Sequence, residues 1–165
     1  MRDHSSSRAS VWDVSRWCVF LWNACRGLYQ VATKISRFSK KRMVELTALY
    51  MERLGLAKHW HAQVDFARTI ARGKNVGSTT WAGRDATIEY SEELKDASDR
   101  IRELTVIHEV RHLHYAPLWD KIYELFGGDS VVTNTLCALI EDLCDADAVM
   151  IYRFYHSRTR VSNGR

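Results

Sequence analysis

The sequence predicts a small α+β domain, in which an antiparallel sheet of about three strands packs with a pair of long helices, preceded by an N-terminal helix. Three observations predict it. Apolar residues recur at steps of three and four over three long stretches, 14–38, 98–115 and 130–156, as helices with one buried face require. Between the first and second of these the period falls to two, with Trp60, Ala62, Val64 and Phe66 alternating with polar residues. Further on, Ala82-Gly83-Arg84-Asp85 reads as a tight turn between two short strand-like runs. At 165 residues the chain is long enough for one domain with a sizeable core.

The elements follow in order. Residues 1–10 are polar and serine-rich and read as a disordered tail. Val14, Trp17, Leu21, Ala24, Leu28, Val31, Ile35 and Phe38 then form a heptad-like helical seam. The seam carries no candidate catalytic residue, so the division is 1–38, a basic tail and amphipathic helix, and 39–165, the domain proper. Ser39 is placed to cap a helix from Lys40 to about Leu54, which Gly55 stops. Its buried stripe is Met43, Leu46, Tyr50 and Leu54. A half-buried strand over 59–66 comes next, with His59 and His61 together on its polar face. Gly77–Trp81 and Ala86–Tyr90 are the two strands joined by the turn, and Ala86–Tyr90 is expected at the sheet edge. Ser98 or Asp99 caps the next helix, which Pro117 is expected to end near Tyr115. A short separate helix over 118–126 stops at Gly127-Gly128, and Asp129 or Ser130 opens the last long helix, to about His156.

The formal charge of +4 conceals an asymmetry. Residues 1–42 carry nine Lys and Arg against Asp3 and Asp13, a net +7, which leaves −3 for the rest. The basic arm suits nucleic acid or an anionic membrane surface, and its apolar seam suits self-association as well as packing on its own domain. No run of about 18 uncharged apolar residues occurs, which argues against a membrane-spanning helix. Cys18 and Cys25, like Cys137 and Cys144, are seven apart on a helix, too far along the axis to bridge. Free thiols in a reducing cytoplasm are the expectation.

The chemistry concentrates in His108-Glu109-Val110-Arg111-His112, which fits the H-E-x-x-H signature of zinc metallopeptidases. Four residues apart on a helix, His108 and His112 lie on one face and can both reach one ion, and Zn²⁺ favours nitrogen donors. Glu109 is rotated by about 100° from His108, so it can lie beside the ion without binding it. A carboxylate there can take a proton from water.

A catalytic zinc site usually has three protein donors. An elongated H-E-x-x-H-x-x-G-x-x-H site is excluded, because Tyr115 and Leu118 stand where it needs Gly and His. A carboxylate on the last helix fits better: Glu141 and Asp145, four apart on one face, with Glu141 among Leu136, Leu139, Ile140 and Leu143. Burying a carboxylate without a partner is costly, and a cation removes the cost. The competing reading is an exposed acidic face of Glu141, Asp142, Asp145 and Asp147. Tyr115, nearly in line with His108 and one turn past His112, is a candidate oxyanion donor.

Together, His108-Glu109-x-x-His112 and Glu141-x-x-x-Asp145 resemble the gluzincin type of zincin metallopeptidase. The size, and the sheet just before the motif helix, resemble the ImmA/IrrE-like family over residues 40–156. The resemblance implies that His108, His112 and Glu141 bind Zn²⁺, that Glu109 is the general base, and that Asp145 orients a metal-binding histidine. It implies a hydrolase that cuts a specific protein or peptide partner. A regulatory or binding protein that keeps the fold without cutting would share the pattern.

Overall fold

The computed structural model describes residues 38–68, 70, 76–128 and 130–162, without the side chains of 158–162. The helix expected from Val14 and the expected boundary at residue 38 lie outside or at the edge of this range. Phe38 is not helical, and its ring meets Phe66 edge-on at 6.5 Å.

Among the described residues three α-helices and a three-stranded sheet form a small α+β fold: α1 (Lys40–Arg53), β1 (His61–Ala67), β2 (Gly77–Ala82), β3 (Asp85–Ser91), α2 (Asp99–Phe126) and α3 (Val131–Ser162). The expected caps are in place. Ser39 Oγ accepts from the Arg42 amide at the start of α1, and Ser98 Oγ from the Ile101 amide at the start of α2. Gly55, at φ 71°, ends α1 in the left-handed region where glycine is the cheapest residue. Ser130 caps α3 through the Thr133 amide, and Thr133 Oγ donates to Gly127 O, joining the end of α2 to the start of α3.

The sheet differs from the expectation in pairing. Its order is β1-β3-β2; β2 and β3 are antiparallel as expected, but β1 runs parallel to β3, with His61 opposite Asp85 and Ala67 opposite Ser91. Alternation in sequence fixes which face a residue takes, not which strand lies beside it. After β1 the chain returns one place too far over, and β3 fills the gap. Ala86–Tyr90 is therefore central, and β1 and β2 are the edges. β1 also begins two residues later than expected: a 3-10 turn over Leu56–Lys58 precedes it, so His59 lies before the strand and shares no strand face with His61. Gly83, at φ 63°, followed by Arg84 at negative φ, is the conformation of a type II′ hairpin turn.

The second difference is at Pro117. It lies inside α2, a continuous helix of 28 residues, and does not end it. An interior proline removes one ladder donor and costs about 3 kcal/mol. Here the two turns beyond it carry Trp119 and Ile122, which pack against α3 beside Ile140 and Cys144. Ile122 is buried and Trp119 partly so; full burial of a side chain such as Ile is worth about 1.5–3 kcal/mol, which offsets much of that cost.

The main core lies between α1, the inner face of the sheet and the first half of α2. Met43, Tyr50, Ile88, Tyr90, Leu94, Val106, Ile107 and Val110 are fully enclosed. Arg102 is buried beside it, with Nε donating to Leu94 O at 2.9 Å and its terminal nitrogens to Lys95 O and Asp99. This ties the 3-10 segment Glu92–Asp96 to the motif helix. No helix among the described residues is long and apolar enough to cross a membrane.

Candidate metal centre

At the motif α2 touches both the sheet and α3, and it divides the motif residues between them. Glu109 faces the sheet. It is 4% exposed, and Thr79 on β2 holds it: Thr79 Oγ lies 2.8 Å from Glu109 Oε2 and 3.0 Å from the Glu109 carbonyl oxygen. One hydroxyl proton is shared between those two acceptors. Gly77, two residues earlier on the same strand face, leaves room for the carboxylate; a Cβ there would lie 2.7 Å from Glu109 Cγ and Cδ. Neither residue is marked in the sequence as part of a site. They lie about thirty positions from Glu109, and a glycine opening a strand carries no local sign of what approaches it.

His108 and His112 face α3. Three donor atoms converge between the helices: His108 Nε2 and His112 Nε2 are 3.1 Å apart, and Glu141 Oε2 lies 3.3 Å from the first and 3.6 Å from the second. A tetrahedral zinc with bonds of about 2.0–2.1 Å has ligand–ligand edges of about 3.3–3.4 Å. The triangle of two imidazole nitrogens and one carboxylate oxygen has that size and composition, so the donor set suits a zinc ion. Donor atoms of His108, Glu109 and His112 also fall within 4.8 Å of one another. Glu141 is the better third donor, since it closes the smaller triangle and Glu109 already accepts from Thr79.

The ring of His108 is fixed from behind. Its Nδ1 is 2.8 Å from Asp145 Oδ1. Donation of Nδ1–H to that carboxylate leaves the Nε2 lone pair pointing into the triangle. Burial disfavours a charged His108, but Asp145 and Glu141 outweigh it and hold its pKa well above the ordinary imidazole range. Burial likewise pushes Glu141 up, and His108 and His112 more than reverse it, so its pKa is depressed. Both shifts have one meaning: the cluster stabilises positive charge at its centre, where a metal would replace a proton. On the far side of His112, Nδ1 is 3.7 Å from Cys144 Sγ. Burial, with the carboxylates of Glu141 and Glu109, raises the Cys144 thiol far above its usual range, so the sulfur stays protonated. Among the described residues Cys137 and Cys144 are free.

Tyr115, the candidate oxyanion donor, falls into a different group together with Arg111. Arg111 Nε donates to Asp147 Oδ2 at 2.8 Å, and the Tyr115 hydroxyl donates to the same oxygen at 2.9 Å. Arg111 also reaches the Tyr115 hydroxyl at 3.2 Å. Tyr115 therefore belongs to a clasp between α2 and α3, and its hydrogen bonds go there and not to the histidine pair. Arg111, in the variable part of the motif, has a structural partner that its sequence position did not reveal.

No family model matches the chain, and no curated protein or solved structure matches it either.

Proposed function

We propose that this chain is a zinc-dependent metallopeptidase that cuts a protein or peptide partner in the cytoplasm. The observation that carries the reading is the donor triangle of His108, His112 and Glu141, with the Glu109 carboxylate beside it on the neighbouring face of the same helix. A bound zinc ion would supply Lewis-acid chemistry, polarising a carbonyl and acidifying water. The chain's own residues do the rest. Glu109 accepts a proton from water on one carboxylate oxygen and passes it to the leaving amine nitrogen as the amide C–N bond breaks. Thr79 fixes the other oxygen, so the carboxylate meets the substrate in one orientation. Asp145 keeps His108 in the tautomer that presents Nε2. An extended substrate lies along the open edge of β2, the strand that carries Thr79, by addition of a strand.

Two measurements test the reading. Metal analysis of the purified chain is expected to find one zinc, lost in His112→Ala. Glu109→Gln is expected to keep the zinc and to lose about 10²–10⁴-fold in peptide hydrolysis. A Glu109→Gln chain that retains both its zinc and its biological function would show a regulatory protein that does not cut.

A further inference from the structure

Beyond the donor triangle, α2 carries an aromatic group that the reaction above does not use. Trp119 is seven residues past His112, which places it on the same helix face about 10.5 Å along the axis. Its ring centroid is 6.4 Å from that of His112, roughly the span of two residues in an extended chain. Trp81, on the edge strand β2, meets Trp119 edge-on at 6.3 Å, and Tyr123 stacks on it at 6.0 Å. Trp81 Nε1 has an acceptor, Asp120 Oδ1 at 3.0 Å. Trp119 Nε1 has none, and among the described residues it is the buried side-chain nitrogen or oxygen left without a partner. An unsatisfied buried donor costs about 1–3 kcal/mol and calls for an explanation. Around the triangle Glu109 is paired with Thr79, His108 with Asp145 and Tyr115 with Asp147.

We propose that Trp119 is a substrate-binding residue: the wall of Trp81, Trp119 and Tyr123 receives a bulky apolar side chain, and seating that side chain turns the indole so that its N–H, enclosed in this structure, donates to a backbone carbonyl of the bound peptide. The inference rests on the reading that a peptide occupies this site. Strand addition along β2 brings a peptide past Thr79 and then Trp81, which share one strand face, and so from Glu109 toward Trp119. A peptide carbonyl is the acceptor the indole lacks. Three aromatic rings favour a large apolar side chain over a charged one, because nothing in the wall offers a counter-charge except Asp120, already engaged by Trp81.

The test reads binding, not cleavage. The full-length, zinc-loaded protein is titrated with N-acetyl-L-phenylalanine amide and with N-acetyl-L-alanine amide while indole N–H resonances are followed by ¹H–¹⁵N NMR, with the Trp119 signal identified by its loss in Trp119→Phe. The expected result is a saturable downfield shift of that signal, with the phenylalanine probe binding several-fold more tightly than the alanine probe. Trp119→Phe should weaken the phenylalanine probe about threefold to tenfold, the worth of one neutral hydrogen bond, and keep its zinc. Trp81→Phe should preserve the Trp119 shift and reduce the preference between probes. A Trp119 signal that stays still at saturation overturns the inference, as does equal affinity for the two probes. The outcome is separable from the peptidase reading. If Trp119 responds in a chain that hydrolyses nothing, the inference stands and the reaction falls; if the chain cleaves peptides with the Trp119 signal unmoved, only the inference falls.

Discussion

The two halves of α2 lie in different surroundings. From Arg102 to Leu113 the helix is enclosed by α1, the sheet and α3, and Val106, Ile107, Val110 and Leu113 are at most 1% exposed. From Ala116 to Phe126 it has a much thinner cover: a small cluster of Ile122, Ile140 and Cys144 with Trp119 and Leu136, while Leu118, Leu125 and Phe126 remain open to water. The motif sits where the first environment gives way to the second. The comparison shows how the work of positioning is divided. Glu109, the proposed general base, is held on the dry side by a strand and a close-packed core. Glu141, the proposed third donor, arrives on α3, and near the motif that helix is held to α2 by carboxylates meeting imidazole and guanidinium groups. One side of the site is positioned by shape and the other by charge.

The sharpest way to break this contrast is to remove packing on each side in turn. Ile107 is fully buried, so Ile107→Ala is expected to cost about 2–5 kcal/mol in urea unfolding. Leu139 on α3 is 53% exposed, and Leu139→Ala should stay within about 0.5 kcal/mol. Equal losses would erase the distinction. Next in size is the charge-held side. Asp145→Asn keeps the shape but weakens the grip on His108, and zinc affinity, measured by competition with a chelating dye, should fall about 10–100-fold. Complete loss of zinc there, with Glu141→Gln retaining it, would exchange the roles of the two carboxylates.

A smaller effect is expected at the clasp. Arg111 and Asp147 have side chains only 13% and 18% exposed. Arg111→Met leaves Asp147 with the Tyr115 hydroxyl alone and should cost about 1–2 kcal/mol. Adding Asp147→Leu should recover much of the loss, and a double-mutant cycle measures the coupling; strictly additive losses would show that the pair contributes nothing of its own. The smallest effect is on the dry side: Thr79→Val should cost about 1 kcal/mol of stability and lower the rate of hydrolysis with zinc content unchanged. If the rate does not move, Glu109 is held by packing alone.

Much of this was legible in the sequence because it is local. Ser39 and Gly55 bound α1, Ser98 opens α2, and the four-residue spacing puts the motif histidines on one face; all of these signals lie within a turn or two of what they control. The inward side of β1 was legible for the same reason, at Val64 and Phe66. The parallel partner of β1 was not, since alternation says nothing about neighbours. Pro117 misled because the local rule for proline met a competing term, the packing of Trp119 and Ile122, that only the folded chain reveals. Glu141 and Asp145 were placed in the sequence by elimination and by resemblance. Thr79, Gly77 and the Arg111–Asp147 clasp left no trace there, since each joins residues about thirty or more apart.

The order of the strands bears on how the protein is made. β3 is the last of the three to leave the ribosome, yet it takes the middle place. β1 is complete at Ala67, but its partner is not finished until Ser91. At about 5–20 residues per second, that interval lasts roughly one to five seconds. The β2–β3 hairpin can close on itself as soon as its turn has emerged; β1 must wait with both of its edges bare. During that time it is open to any other nascent strand. His61, Gln63 and Asp65 fill alternate positions of β1, and an acidic residue in a strand with no partner discourages pairing with a second copy of itself.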